Sequence, residues 1–179
     1  MSLKNGKEYL ESVGELGLEA HILGQKQGGL DEHGLVKPSQ KAVAFTFDGA
    51  HDPATQELFC VESSLCNDVV NRFTPLHQSA EDLVNKVKMQ RLCGINTACC
   101  FQRCVGMDAA NAIFSTTFEC DAKHGTDYHQ RFRDYWQWIQ QNDLVAARLR
   151  HMASTKWGTR KYLNMELLNH GGYREALAG

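Results

Sequence analysis

The sequence predicts an all-α fold, and three stretches support that prediction. From Leu92 to Lys123 the chain contains no proline and many residues that favour helix, which predicts one long helix. Residues 80–91 carry regularly spaced apolar side chains, and residues 5–18 carry a similar stripe that predicts a first helix. Consecutive helices of this kind pack into a helical layer, so we expect residues 1–145 to form one helical unit.

Turn residues and prolines divide the rest of the chain. Glycines predict a loop over residues 24–34. Residues 41–49 are compatible with a strand or a helix, and we favour the helix. Pro53 suits the first turn of a short helix that ends at Phe59. Near the C-terminus we expect two short helices, at residues 144–153 and 172–178.

A helix start is predicted at Ser79. Its hydroxyl suits an N-cap, and the acidic residues Glu81 and Asp82 suit the positive end of the helix dipole. The apolar side chains of this helix should form one face, with the basic side chains on the other faces. The apolar residues are Leu83, Val84, Val87 and Met89.

Composition and charge exclude several functions. The net charge of −2 and the pI near 6.4 give no basic field for nucleic acid or an anionic membrane surface. No apolar run reaches membrane-spanning length, and the N-terminal residues lack the apolar segment of a signal peptide. We therefore expect a cytoplasmic protein. Its seven cysteines are then thiols or metal ligands rather than a disulfide framework, and Cys60 and Cys66 suit core positions.

Cys100 and Cys104 are the strongest candidates for chemistry. On the predicted helix, their spacing of four places the two thiols one turn apart on a common face, where they can bind one metal centre. Cys93 falls near the same face. Two thiolates do not complete a tetrahedral or iron–sulfur site, so further ligands must come from elsewhere. The alternative is that these cysteines only pack in the core, as buried thiols often do.

The residues around this pair resemble a known family. The run from Val87 to Thr117, together with the segments Leu76-His77-Gln78-Ser79 and Gly125-Thr126-Asp127-Tyr128-His129, resembles the 4-hydroxybutyryl-CoA dehydratases (vinylacetyl-CoA Δ-isomerases). These belong to the flavin-dependent 4-hydroxyphenylacetate 3-hydroxylase superfamily. The resemblance covers roughly residues 4–145. It implies the helical N-terminal domain of that acyl-CoA-dehydrogenase-like family.

The resemblance also implies site residues and cofactors. Cys100 and Cys104 would supply two of the four ligands of a 4Fe-4S cluster, and the other two would come from a later part of a longer chain. Gln102 and Arg91 would lie near the substrate and the FAD as catalytic residues. Arg103 would supply positive charge as a cofactor-binding residue. The alternatives are a salt-bridging role for Arg91 and a cation on the helix surface for Arg103.

The reaction implied by the family is removal of water from 4-hydroxybutyryl-CoA to give crotonyl-CoA, with isomerisation of vinylacetyl-CoA as a related activity. The hydrogen that must leave is not acidic, so the flavin supplies one-electron chemistry and the cluster acts as a Lewis acid on the leaving hydroxyl. The protein would bind and orient the CoA thioester and exclude water.

The sequence departs from the family after Val145. Residues 1–145 carry 13 basic against 19 acidic side chains, whereas residues 146–179 carry six against two, and we treat them as a divergent tail. The family's later domains, with two cluster ligands and most flavin contacts, have no counterpart. We therefore expect a domain that is inactive alone and that forms a homo-oligomer or binds a partner with the missing domains. The alternatives are a non-catalytic helical remnant or assembly subunit, and a fragment of a flavin-dependent aromatic hydroxylase.

Overall fold

The computed structural model describes residues 3–17, 20–27, 33–98, 101 and 103–146. It contains six helices and four short strands in these ranges. The helices are α1 (Gly6–Glu15), α2 (Lys37–Asp48), α3 (Gln56–Phe59), α4 (Ala80–Thr97), α5 (Arg103–His124) and α6 (Tyr128–Gln141). The strands are β1 (Ala20–Ile22), β2 (Gln25–Gln27), β3 (Cys60–Glu62) and β4 (Val69–Asn71).

Residues 1–148 form one compact unit, and residues 149–179 lie outside the described residues. The predicted helix at 172–178 therefore lies there, as does most of the one at 144–153. None of the helices in the described ranges has the length and apolar character needed to cross a membrane.

Side-chain caps explain where two helices begin. Asn5 accepts a hydrogen bond from the backbone N–H of Glu8, and the Glu8 carboxylate accepts one from the backbone N–H of Asn5 (2.8 Å). Ser79 and Asp82 form the same reciprocal pair at the start of α4. Each box satisfies backbone donors that the first helical turn leaves unpaired. The predicted N-cap at Ser79 is confirmed.

Two hairpins modify the predicted all-α fold, which is mostly helical rather than wholly so. β1 and β2 pair antiparallel across a turn at Leu23 and Gly24, both with positive φ (50° and 81°). Two such residues form the tight turn whose twist matches paired strands. Residues 25–27, expected in a loop, are therefore a strand. β3 and β4 pair antiparallel, with Val61 opposite Val70.

The helix predicted over residues 41–49 is present as α2, and its apolar face, with Ala42, Val43, Ala44 and Phe47, is buried. Pro53 is not part of a helix: it lies in a turn, and α3 begins three residues later at Gln56. The Asp52 carboxylate explains this turn, because it accepts a hydrogen bond from the backbone N–H of Ala54 at 2.9 Å.

Two apolar clusters hold the helices together. The first joins α2, α3, α4 and the start of α5, and contains Ala42, Ala50, Phe59, Phe73, Met89, Cys93, Phe101 and Met107. The second joins α5 to α6, and contains Leu76, Ala110, Trp136 and Ile139. The backbone carbonyl of Thr74 links them, since it accepts hydrogen bonds from the Trp136 indole (2.7 Å) and the Gln140 amide (2.8 Å).

The apolar face predicted for α4 does not point into this core. Leu83, Val84 and Val87 are each about half exposed, whereas Met89 is fully buried. The helix instead buries the side that carries Met89 and Cys93. The exposed apolar face on the other side of α4, which we call the α4 outer stripe, consists of Leu83, Val84, Val87 and Ile95.

Candidate functional site

Ala98 and Phe101, the described residues between the two cysteine-bearing parts of the predicted long helix, are not helical. α4 ends at Thr97, and Ala98 takes a left-handed conformation (φ 47°) while its N–H donates to the Gly94 carbonyl at 3.0 Å. α5 begins only at Arg103, and Phe101 lies outside both helices. The prediction of one continuous helix over residues 92–123 is therefore wrong. So is the prediction that one helix places Cys100 and Cys104 a turn apart on a common face, because the non-helical Phe101 lies between them. A left-handed C-cap ends a helix because the next N–H groups can no longer continue its ladder.

Tertiary packing explains why the break falls here. The Phe101 side chain is buried in the first cluster, with its ring edge-on to Phe73 at 5.5 Å between centroids. The Arg103 N–H donates to the Phe101 carbonyl at 2.7 Å, which forms a tight turn into α5. If α4 continued as one helix, the Phe101 and Arg103 side chains, two residues apart, would not both point into the core.

Arg103 has an unusual environment for a cation, with only 1% of its surface exposed. Its guanidinium lies over the Phe47 ring at 4.2 Å and the Phe73 ring at 5.0 Å. It donates to the Thr46 hydroxyl (3.0 Å) and to the Asp143 carboxylate (3.5 Å). The alternative of a surface cation is therefore excluded. The predicted cofactor contact of Arg103 stays a prediction.

Burial opposes charge on both members of this ion pair. It lowers the pKa of Arg103 to about 10, although Asp143 acts in the opposite direction. It raises the pKa of Asp143, although Arg103 and the backbone N–H of Lys4 favour the carboxylate. Both pKa shifts favour the neutral form of the group. Desolvation therefore outweighs the mutual attraction of the two charges, as is common for buried pairs.

The two described cysteines beside the break differ in character. Cys93 is fully buried, and burial raises the pKa of its thiol to about 12, so this thiol stays protonated. Cys104 lies in the first turn of α5, is partly buried, and packs against the first apolar cluster. Since thiolates rather than thiols bind metals, Cys104 is the better candidate of the two.

The other predicted site residues are only partly described. Cys100 and Gln102 lie outside the described residues, so their predicted roles remain predictions. Arg91 is exposed on α4 and makes no ion pair within the described ranges, which does not support the salt-bridging alternative. In those ranges no three His, Cys, Asp or Glu side chains are grouped to hold a metal ion.

Sequence reasoning did not identify the partners that hold the break in place. Thr46 and Asp143 contact Arg103 from positions 57 and 40 residues away. No periodicity or local motif connects residues so distant in the chain. Gly106 and Ala146 were also missed: a Cβ at Gly106 would lie 1.8 Å from the Ala146 carbonyl oxygen. A glycine inside a predicted helix was a signal of such a close approach.

A cavity of about 640 Å³ lies between α5 and α6, beside the same glycine. Small residues of α5, including Gly106 and Ala109, face the aromatic residues Phe132 and Trp136 of α6. Ala146 forms part of its rim. Its walls are mainly apolar, so the cavity suits an apolar surface more than a charged group.

Comparisons with known proteins identify the family to which the chain is related. The sequence profile of the family described as 4-hydroxyphenylacetate 3-hydroxylase N terminal matches residues 5–155. A 4-hydroxybutyryl-CoA dehydratase/vinylacetyl-CoA-Δ-isomerase from Clostridium aminobutyricum is 48% identical over 143 residues, which make up 80% of this chain and 29% of that protein.

Solved structures show the same relationship. An oxygen-tolerant archaeal 4-hydroxybutyryl-CoA dehydratase from N. maritimus matches with a TM-score of 0.76 at 45% identity, over 80% of this chain and 28% of that one. The oxygenase component of 4-hydroxyphenylacetate 3-monooxygenase, solved with FAD, matches with a TM-score of 0.57 at 19% identity, which shows the fold alone. The chain spans less than a third of these relatives. It belongs to the 4-hydroxyphenylacetate 3-hydroxylase N-terminal family.

Proposed function

We propose that this chain provides the N-terminal portion of a 4-hydroxybutyryl-CoA dehydratase, which acts on a CoA thioester. The observation that carries the proposal is the 48% identity over 143 residues to a protein named for that activity. The aromatic hydroxylase alternative has weaker support, because the oxygenase structure is only 19% identical and shares the fold. The chain would need the remainder of such an enzyme to be active.

Cys104 and Cys100 would supply some of the ligands of a metal cluster. Cys104 offers a soft sulfur ligand at the start of α5, where backbone N–H groups and the helix dipole favour negative charge. Cys100 would be the second ligand. No three His, Cys, Asp or Glu side chains in the described ranges are grouped to hold a metal ion, and we propose that the other ligands come from the rest of the enzyme. When bound, the cluster would act as a Lewis acid, and FAD would supply one-electron chemistry.

Arg91 and Gln102 are proposed to contact substrate or flavin. Arg91 is suited to this role because its guanidinium is exposed on α4 and makes no ion pair with another described residue. A guanidinium of this kind can bind a phosphate or carboxylate through two parallel hydrogen bonds.

Anaerobic reconstitution with iron and sulfide tests the proposal. The chain alone should form no stoichiometric 4Fe-4S cluster and no crotonyl-CoA, because incomplete ligation leaves iron open to solvent. After addition of a polypeptide carrying the later domains of a relative, both cluster absorbance and turnover should appear. The readouts are visible absorbance, iron content and crotonyl-CoA formation.

Three variants make the test specific. Cys100→Ser and Cys104→Ser should each abolish the cluster and the activity in the reconstituted mixture. Cys120→Ser, near the other end of α5, is the matched control and should leave both unchanged. A cluster that forms equally well in the Cys104→Ser variant would contradict the proposed ligand set. Turnover by the chain alone would contradict the proposed dependence on further domains.

A further inference from the structure

Arg103 connects three parts of the fold at the residue before Cys104. Its backbone begins α5, its guanidinium donates to Thr46 on α2, and it pairs with Asp143 in the turn after α6. Asp143 also accepts a hydrogen bond from the backbone N–H of Lys4 at 3.0 Å. The first turn of α5 is thus tied to sequence-distant parts of the chain by one side chain.

A second contact joins the same turn to the same segment. Gly106, three residues after Arg103, has the Ala146 carbonyl so close that any side chain at this position would overlap it. Residues 143–146 therefore contact the first turn of α5 in two places, through an ion pair and through backbone packing. Two contacts fix the direction of this segment as well as its position.

Packing alone does not call for a cation at this place. A buried ion pair is often no more stable than apolar residues of similar volume, because both charges lose their hydration. The start of a helix is also the end that disfavours positive charge. What a guanidinium offers that an apolar side chain lacks is direction: its planar fork bonds two partners at defined angles.

We propose that Arg103 is a positioning residue for the cysteine site. It holds the first turn of α5, and with it Cys104, in a fixed place relative to residues 143–146. This inference rests on the proposed function, in which Cys104 binds a cluster whose other ligands follow later in the chain. A fixed position of that turn relative to residues 143–146 would keep Cys104 aligned with the ligands that follow later in the chain.

Arg103→Lys in the full chain is the main test, since it keeps the charge and loses the fork. At one fixed pH and without metal, iodoacetamide labelling is followed for each cysteine by peptide mass spectrometry. Labelling of Cys104 should become at least fivefold faster in Arg103→Lys and in Asp143→Asn. Cys120, on the same helix, is the internal control and should not change.

Ser63→Ala is the stability control, because it removes the Ser63–Gln140 hydrogen bond (2.6 Å) and does not touch Arg103. It should lower the melting temperature without changing the labelling of Cys104. An unchanged Cys104 rate in folded Arg103→Lys and Asp143→Asn would overturn the inference. So would an equal acceleration in Ser63→Ala, because Arg103 would then act through general stability.

A separate measurement distinguishes this inference from the proposed function. Cd²⁺ alone is added to the wild-type chain, and protection of Cys100 and Cys104 from labelling is measured. Joint protection supports the ligand pair, and Arg103→Lys should then require at least tenfold more Cd²⁺. If Cd²⁺ protects neither cysteine, the ligand pair fails, whereas the metal-free labelling still decides whether Arg103 positions Cys104.

Discussion

Gly94 and Gly106 show at the scale of single residues how the same amino acid has opposite consequences. Both lie within helices, yet nothing lies within 4 Å of a Cβ built on Gly94, whereas one on Gly106 would overlap the backbone of Ala146. Helix propensity alone disfavours glycine at both positions. Only the contact with Ala146 gives Gly106 a reason to be glycine.

The two alanine variants should therefore change stability in opposite directions. Gly94→Ala should raise the free energy of unfolding by about 0.5–1 kcal/mol, because alanine loses less backbone entropy. Gly106→Ala should lower it by about 1–3 kcal/mol, because the segment at Ala146 must move. Urea unfolding followed by circular dichroism measures both. A Gly106→Ala protein as stable as Gly94→Ala would show that Ala146 does not pack there.

At the scale of elements, α6 receives its N-terminal cap from another helix. Asp127, the residue before α6, makes no side-chain cap. The Asp121 carboxylate of α5 instead accepts hydrogen bonds from the backbone N–H groups of Tyr128 (3.0 Å) and His129 (2.8 Å), and from the Thr126 hydroxyl (2.6 Å). The cap thus joins α5 to α6 as well as starting α6.

This cap should make stability depend on pH. Burial acts to raise the pKa of Asp121, but the hydrogen bonds from Thr126, His129 and Tyr128 hold it below its usual value. A carboxyl with a lowered folded-state pKa adds stability above its unfolded pKa, about 3.9, and loses it as the pH falls through the folded value. The advantage of wild type over Asp121→Asn should therefore be full above about pH 5 and disappear at lower pH.

Urea midpoints between pH 2.5 and pH 7 measure this advantage. Asp134→Asn is a suitable control, because Asp134 is an exposed carboxylate of α6 that accepts a hydrogen bond from the Gln130 amide. It should change the midpoint much less at every pH. A constant difference between wild type and Asp121→Asn across the whole range would exclude the carboxylate as the source.

At the scale of the whole molecule, the described surface carries apolar area that the domain itself does not cover. The α4 outer stripe is 48–78% exposed, and Trp138 and Tyr135 of α6 are each about half exposed. Exposed apolar surface of this kind often marks contact with another chain or domain.

The chain alone should therefore self-associate as its concentration rises. Sedimentation velocity over a hundredfold concentration range should show a growing oligomer fraction, and a dye for exposed apolar surface should bind. Val87→Lys in the middle of the stripe should reduce both signals, whereas Lys88→Ala beside it should not. A wild-type chain that stays monomeric and binds no dye would contradict this prediction.

Sequence patterns alone predicted the local features of this fold. The cap at Ser79, the helix over residues 41–49 and the family resemblance all depend on residues that are close in the chain or on a matched motif. The same reasoning failed for the α4 outer stripe, because apolar spacing indicates that one face will be covered and does not say by what.

Only the tertiary structure decided where the predicted long helix breaks and what Arg103 does. Helix formers run through the segment from Leu92 to Lys123, so propensity favoured continuity, but the break lets Phe101 and Arg103 enter the core together. The partners of Arg103, Thr46 and Asp143, are distant in sequence. Contacts between distant residues are absent from local patterns, and at the cysteine site they outweighed helix propensity of at most about 1 kcal/mol per residue.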